Sequence, residues 1–164
     1  MPNSTYKINI AIADDHVLFA QGVANLINSV KGMQVVLIAN NGLELLQGLE
    51  KIEKPDVVLM DIEMPVMDGF QTTTELMKNY PSCKIIALSM HKEESFISQM
   101  ILSGVCGYLL KNAQPEEVIA AIKNVVDGGL AFNNEAVHVM KHLIVTNMRP
   151  SLTRTDFTDR ELQI

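Results

Sequence analysis

Long apolar stretches are missing from this sequence: runs such as Val57 to Met60 and Ile85 to Leu88 fall far short of the roughly 20 residues a bilayer span needs. The first residues, Met1 to Thr5, show no charged start followed by an apolar core, so no secretion signal is expected. Cysteine is scarce. Cys83 and Cys106 lie within or beside apolar runs, with no second pair to build a zinc site, and read as reduced thiols. A cytoplasmic protein with no membrane partner is therefore expected. Low-complexity tracts are also lacking, and 48% of the 164 residues are hydrophobic, as a folded globular chain requires. That length suffices for one well-buried domain and a modest extension. Nor is there an excess of basic charge. Residues 1 to 137 hold 9 basic and 16 acidic side chains, whereas residues 138 to 164 hold 4 and 3. An acidic body of net −7 is unsuited to gripping a phosphate backbone, so any nucleic-acid role belongs after residue 137.

What is present is an alternation of two periods. Nearly continuous apolar runs at Ile8 to Ala13, Val35 to Ala39, Val57 to Met60, Lys84 to Leu88 and Gly107 to Leu110 suit strands buried on both faces of a parallel sheet. Between them, Phe19, Val23, Leu26, Ile27 and Val30 form one helical stripe, and Leu45, Leu46, Leu49 and Ile52 another. Asp68 to Tyr80 reads as a third helix stopped by Pro81, and Glu94 to Ser103 as a fourth ended by Gly104. A fifth opens at Pro115 and closes at Gly128-Gly129. Five βα units in about 125 residues predict an α/β fold: a doubly wound, five-stranded parallel sheet in flavodoxin-like order 2-1-3-4-5, with helices on both faces. That order sets strands 1 and 3 side by side at the switch point, where ligands of such sheets bind. Residues 1–128 make this domain. Residues 129–151 add an amphipathic helix, capped by Asn133 or Asn134 and running to about Val145, and a linker over Asn147 to Ser151.

The chemistry-bearing residues fall at the predicted strand ends. Asp14 and Asp15 follow the first strand, Asp61 follows the third, and Glu63 comes two residues later. Carboxylates gathered that closely repel one another, and a hard cation such as Mg²⁺ (or Mn²⁺) resolves the repulsion. Ser89 follows the fourth strand and Lys111 the fifth, which sets a hydroxyl and an ammonium facing the acidic cluster. Together these make a pocket for a phosphoryl group on Asp61. Each residue alone has a plainer reading as a helix cap or a solvated turn residue. Their joint placement in order favours chemistry.

The stretches Ala13-Asp14-Asp15-His16, Leu59-Met60-Asp61-Ile62-Glu63-Met64-Pro65-Val66-Met67-Asp68-Gly69, Ala87-Leu88-Ser89 and Gly107-Tyr108-Leu109-Leu110-Lys111 resemble the receiver domain of two-component response regulators. The resemblance covers residues 6 to about 128. It implies that Asp61 is the phosphoacceptor and also binds metal, that Asp15 binds Mg²⁺ directly and Asp14 mostly through water, and that Glu63 offers its backbone carbonyl. It further implies that Ser89 and Lys111 contact the phosphoryl oxygens and that Tyr108 is a switch aromatic moving inward. Such a domain is no enzyme in the usual sense, although it assists its own phosphorylation and dephosphorylation. Its implied partners are a sensor histidine kinase and, after phosphorylation, a second copy of itself. Many receivers follow the lysine with a cis proline, whereas Asn112 stands here.

His16, at the start of the first helix, and His91, after Ser89, are not expected to be direct ligands. His138 and His142 at i, i+4 spacing read as an exposed helix face. In the tail, Thr158 and Glu161 have capping-box spacing. Residues 152–164 resemble the opening of the helix-turn-helix domain of NarL/FixJ-type (LuxR-type) regulators, cut off before its recognition helix. The resemblance implies a DNA-binding transcriptional regulator that meets DNA through that further domain. Two alternatives remain. An aspartate-nucleophile phosphatase would carry its nucleophile after the first strand. A flavodoxin-like binding module would carry a Ser/Thr/Gly-rich loop where Asp14-Asp15 stands.

Overall fold

The computed structural model describes residues 6–147. Of the expected linker Asn147 to Ser151, Asn147 is helical, and the rest, like the expected capping box at Thr158 and Glu161, lies outside the described residues. Strands β1 (Ile8–Ala13), β2 (Met33–Ala39), β3 (Val57–Met60), β4 (Lys84–Ser89), β5 (Gly107–Leu110) and β6 (Ala131–Phe132) form one parallel sheet in the order β2-β1-β3-β4-β5-β6. Helices α1 (Val17–Asn28), α2 (Gly42–Leu49), α3 (Gly69–Asn79), α4 (Glu94–Ser103) and α5 (Pro115–Val126) alternate with the strands, and α6 (Asn134–Asn147) follows the last. The predicted order of the first five strands stands. The count of five does not: β6 pairs with β5 through Gly107 to Ala131 and Tyr108 to Phe132. Two residues are too few to carry any period, so this strand is set by its neighbour and not by its own pattern.

Helix boundaries follow local chemistry. The side chain of Asn41 accepts from the Glu44 N–H to open α2. Asp68, expected as the first helical residue, instead caps α3: its carboxylate accepts from the Gln71 N–H while the Gln71 side chain accepts from the Asp68 N–H. Pro115 starts α5, and Gly104 (φ +113°) ends α4 in the left-handed conformation that a side chain would oppose. Asn133 caps α6 through the Ala136 N–H.

Two apolar layers sandwich the sheet. On one face Ile10, Ile12, Leu59 and Ile86 pack against Ala20, Val23 and Ile27 of α1 and Val118, Ile122 and Val125 of α5. On the other, Val58, Met60, Ile85 and Tyr108 pack against Leu45 and Leu49 of α2, Leu76 of α3, and Ile97 and Met100 of α4; Ala136 and Val139 of α6 extend this layer. Ile52, expected on the second helix, lies beyond its end yet still packs against this layer. Every residue of β3 is buried, as a strand covered on both faces demands. Cys83 is buried and Cys106 half-buried, both free thiols, and burial pushes the Cys83 thiol up to about 12. No described helix is long and apolar enough to cross a membrane.

Candidate functional site

The carboxyl ends of β1 and β3 lie side by side, so Asp14, Asp15 and Asp61 leave the sheet at one point. The Asp61 N–H donates to the Ala13 carbonyl at 2.9 Å, which continues the β1–β3 pairing one step past the strands. Asp14 and Asp61 are buried, while Asp15 and His16 are exposed. One oxygen of Asp61, Oδ1, accepts from the Ile62 N–H at 2.8 Å. Its other oxygen, Oδ2, accepts from the Lys111 ammonium at 3.2 Å, and the same ammonium lies 2.8 Å from Asp14 Oδ2. The Lys111 backbone N–H is held by the Ser89 carbonyl at 2.8 Å, so β4 aims the lysine into the cluster. The Phe19 ring lies 4.8 Å below its ammonium.

The electrostatic balance at Asp61 is unfavourable to its charge. Burial, and then the Asp14 charge, push its carboxyl from the ordinary 3.8 up to about 6, against the opposing pull of Lys111 and the Ile62 N–H. A single ammonium shared between two buried carboxylates leaves negative charge in surplus. The three carboxylates fit a hard divalent cation: Asp14, Asp15 and Asp61 each offer an oxygen, and these and a ring nitrogen of His16 all lie within 4.8 Å of one another. The Glu63 side chain turns elsewhere, to His91 Nε2 at 3.0 Å, which leaves its backbone carbonyl as the group expected to serve a metal.

The loop from Ile62 to Asp68 is folded back on itself. Met67 N–H donates to the Pro65 carbonyl at 2.7 Å across Val66, whose φ of +69° makes this a strained γ-turn. The Gly69 N–H then reaches the Ile62 carbonyl at 2.7 Å. A Cβ on Gly69 would stand 2.2 Å from the Asp61 carbonyl oxygen, so only glycine lets α3 start this close to Asp61.

Ser89 is the last residue of β4 and fully buried. It is not hydrogen bonded to Asp61; its Oγ accepts from the His91 N–H at 3.0 Å. Tyr108 is fully buried, points inward, and donates to the His91 carbonyl at 2.8 Å. His91 therefore joins the two residues expected to switch. Its imidazole stacks on Phe96 at 4.1 Å and meets Glu63 and Glu93. All peptide bonds among the described residues are trans, Lys111-Asn112 included.

Two histidines are packed into this arrangement, His16 beside the carboxylates and His91 between Ser89 and Tyr108. The signal for His16 was its place directly after the acidic pair; for His91 it was a spacing of two from Ser89, which suits a side-chain-to-backbone turn. Beside the cluster, a cleft of 540 Å³ is lined by His16, Phe19, Met90, Lys92, Leu110, Lys111 and Asn112.

Known proteins resemble the chain in sequence and in fold. A family profile described as the response regulator receiver domain matches residues 10–123. The chain is 37% identical over 132 residues to the transcriptional regulatory protein DegU of Brevibacillus brevis, covering 80% of this chain and 56% of that relative. It is 31% identical over 160 residues to the response regulator GacA of Pseudomonas viridiflava, covering 96% of this chain and 73% of the relative. Among solved structures, a two-component response regulator of the LuxR family from Aurantimonas sp. SI85-9A1 superposes with a TM-score of 0.77 at 25% identity, covering 85% of this chain and 99% of that one.

Proposed function

We propose, for a chain that belongs to the response regulator receiver domain family, that it is a phosphorylation switch whose acceptor is Asp61. The single observation that carries the reading is the position of Asp61: buried at the end of β3, beside Asp14, with Lys111 3.2 Å from its Oδ2. A sensor histidine kinase or a small acyl phosphate presents the phosphoryl group. A carboxylate oxygen of Asp61 attacks phosphorus, the bond to the donor breaks, and the leaving group departs with the electron pair. Lys111 neutralises the transferring oxygens, and the low polarity that raises the Asp61 carboxyl strengthens that interaction. Asp14, Asp15, Asp61 and the Glu63 carbonyl are the groups that would hold Mg²⁺ or Mn²⁺, which when bound supplies the further positive charge that phosphoryl transfer needs.

The acyl phosphate carries more negative charge than the carboxylate it replaces. It draws on Lys111 and on the Ser89 hydroxyl, which accepts from the His91 N–H and, in turning to donate its own proton to a phosphoryl oxygen, moves the loop that holds that N–H. Because the His91 carbonyl accepts from Tyr108, that rearrangement passes from the β4–α4 loop to β5. Homodimerisation through a helical face follows, and transcription is controlled through a LuxR-type DNA-binding domain that residues 152–164 would begin. The names of the relatives, a transcriptional regulatory protein and a response regulator, support that output. A cytoplasmic site of action goes with it, as does a role as a signalling domain and not as a turnover enzyme.

Intact-mass analysis after incubation with acetyl phosphate tests this reading. Wild type is expected to gain one phosphoryl adduct only when Mg²⁺ is present, and Asp61→Asn to gain none. An adduct of equal yield on Asp61→Asn would overturn the assignment, and repeated turnover of a phosphomonoester would favour the phosphatase reading.

A further inference from the structure

We propose that Met90 is a redox-modification site: a peroxide converts its thioether to the sulfoxide, and the change slows phosphorylation of Asp61. The inference rests on the proposed reading of Asp61 as the phosphoacceptor.

Access to the sulfur singles out this residue. Of the 10 methionines, Met1 and Met148 lie outside the described residues. Met33, Met60, Met64 and Met100 are buried in the two apolar layers, and Met67, Met77 and Met140 are half-buried. Met90 alone among the described methionines is exposed, at 71%, and it packs into neither layer. Oxidation of a thioether follows the oxidant's access to sulfur, so Met90 reacts ahead of the others described.

Exposure makes a methionine oxidisable; its place in the fold decides whether oxidation matters. Met90 stands at the apex of the turn that Ser89 Oγ closes by accepting from the His91 N–H at 3.0 Å. The Ser89 carbonyl, bonded directly to the Met90 nitrogen, accepts from the Lys111 N–H at 2.8 Å. The His91 carbonyl accepts from the Tyr108 hydroxyl at 2.8 Å. The backbone on either side of Met90 thus holds Ser89, Lys111 and Tyr108 in place. Its side chain lines the 540 Å³ cleft together with Phe19, Leu110, Lys92 and Lys111. The reduced thioether suits the apolar wall made by Phe19 and Leu110, and it offers the two lysines only a weak acceptor.

The chemistry needs one co-reactant, hydrogen peroxide. A sulfur lone pair forms the S–O bond and the O–O bond breaks. Sulfur is oxidised, and the peroxide is reduced to water. The sulfoxide is polar and chiral, and its oxygen is a far better acceptor than the thioether, on a wall that carries two ammonium groups. A hydrogen bond from Lys111 to that oxygen competes with the carboxylates of Asp14 and Asp61, which Lys111 meets at 2.8 and 3.2 Å. A hydrogen bond from Lys92 pulls the Ser89–His91 turn toward the cleft. Both divert groups that phosphoryl transfer uses, so the rate falls. Sulfoxide reductases reverse the oxidation, which makes the site a switch and not only a lesion.

The test takes the full chain through a graded hydrogen peroxide series on wild type and Met90→Leu. Peptide mapping by mass spectrometry locates the sulfoxides, and intact-mass analysis follows labelling by acetyl phosphate with Mg²⁺. Met90 sulfoxide is expected to form about tenfold faster than sulfoxide at Met67, Met77 or Met140, and the labelling rate to fall about threefold or more as it forms. Methionine sulfoxide reductase should restore the rate, and Met90→Leu should keep its rate through the same series. Oxidation of Met90 no faster than that of the half-buried methionines overturns the inference. An unchanged labelling rate on chains fully oxidised at Met90, or an equal loss in Met90→Leu, overturns it as well. Absence of labelling on untreated wild type overturns the phosphoacceptor reading, and this regulation with it. The wild-type map and rate decide the question whether or not the variant folds.

Discussion

Asp61 is held between one ammonium and a second buried carboxylate, and the consequence is a testable dependence of stability on pH. Its carboxyl titrates at about 6 when folded against an ordinary 3.8, so the folded protein binds that proton more tightly than the unfolded chain. The contribution of this group to stability is fully present below pH 4. It is lost as pH rises toward 6, a cost of about 3 kcal/mol at neutral pH for a shift of this size. In the presence of a chelator, Asp61→Asn is therefore expected to be more stable than wild type by about 1–3 kcal/mol at pH 7.5, with the advantage gone near pH 4. Urea unfolding at the two pH values measures it, and a variant no more stable than wild type at pH 7.5 contradicts the account. At this scale the sequence was legible where strand ends and side-chain charge coincide, which is why Asp14, Asp15, Asp61 and Lys111 were found and meet. It was not legible where a side chain acts through its neighbours. The linking of Ser89 and Tyr108 through the two backbone groups of His91 depends on a loop conformation that no spacing reveals.

The elements carry their own constraint at Gly69, where α3 begins against Asp61. An added methyl would stand 2.2 Å from the Asp61 carbonyl oxygen and 2.8 Å from the Ile62 Cα, both of them backbone that cannot swing aside. Gly69→Ala is expected to cost about 3 kcal/mol and to lower phosphoryl labelling of Asp61 by displacing it. Gly22, within α1, has open space around the same methyl, so Gly22→Ala should stabilise by about 0.5–1 kcal/mol through helix propensity alone. Denaturant midpoints of the two variants separate steric from conformational effects; equal stability of Gly69→Ala and wild type would refute the packing argument. Most elements were legible because period and punctuation agree, as at Pro115 for α5 and Gly104 for α4. β6 was not, since a two-residue strand exists only by its hydrogen bonds to Cys106 and Tyr108 carbonyls.

For the whole molecule, strand order turns scattered residues into a site. β1 lies between β2 and β3, and β4 and β5 follow outward, so loops far apart in sequence open on one edge of the sheet. The alternation of strand and helix periods made that order predictable, because right-handed crossovers leave few ways to lay five parallel strands. The placement of α6 was less so. Its apolar residues announced a helix, but only the structure shows Ala136 and Val139 buried against the layer that contains Ile97 and Met100 of α4. A helix in that position lies on the element that follows the Ser89 loop, which gives a change at the site a packed route toward the end of the chain.

The central claim is that Asp61 itself takes the phosphoryl group, and reductive trapping tests it most directly. Wild type phosphorylated with acetyl phosphate and Mg²⁺ is treated with borohydride, which converts an acyl phosphate on aspartate to homoserine, and the digested peptides are sequenced by mass spectrometry. Homoserine at position 61 alone is the predicted result. Homoserine at position 14 or 15, with position 61 unchanged, would contradict the account.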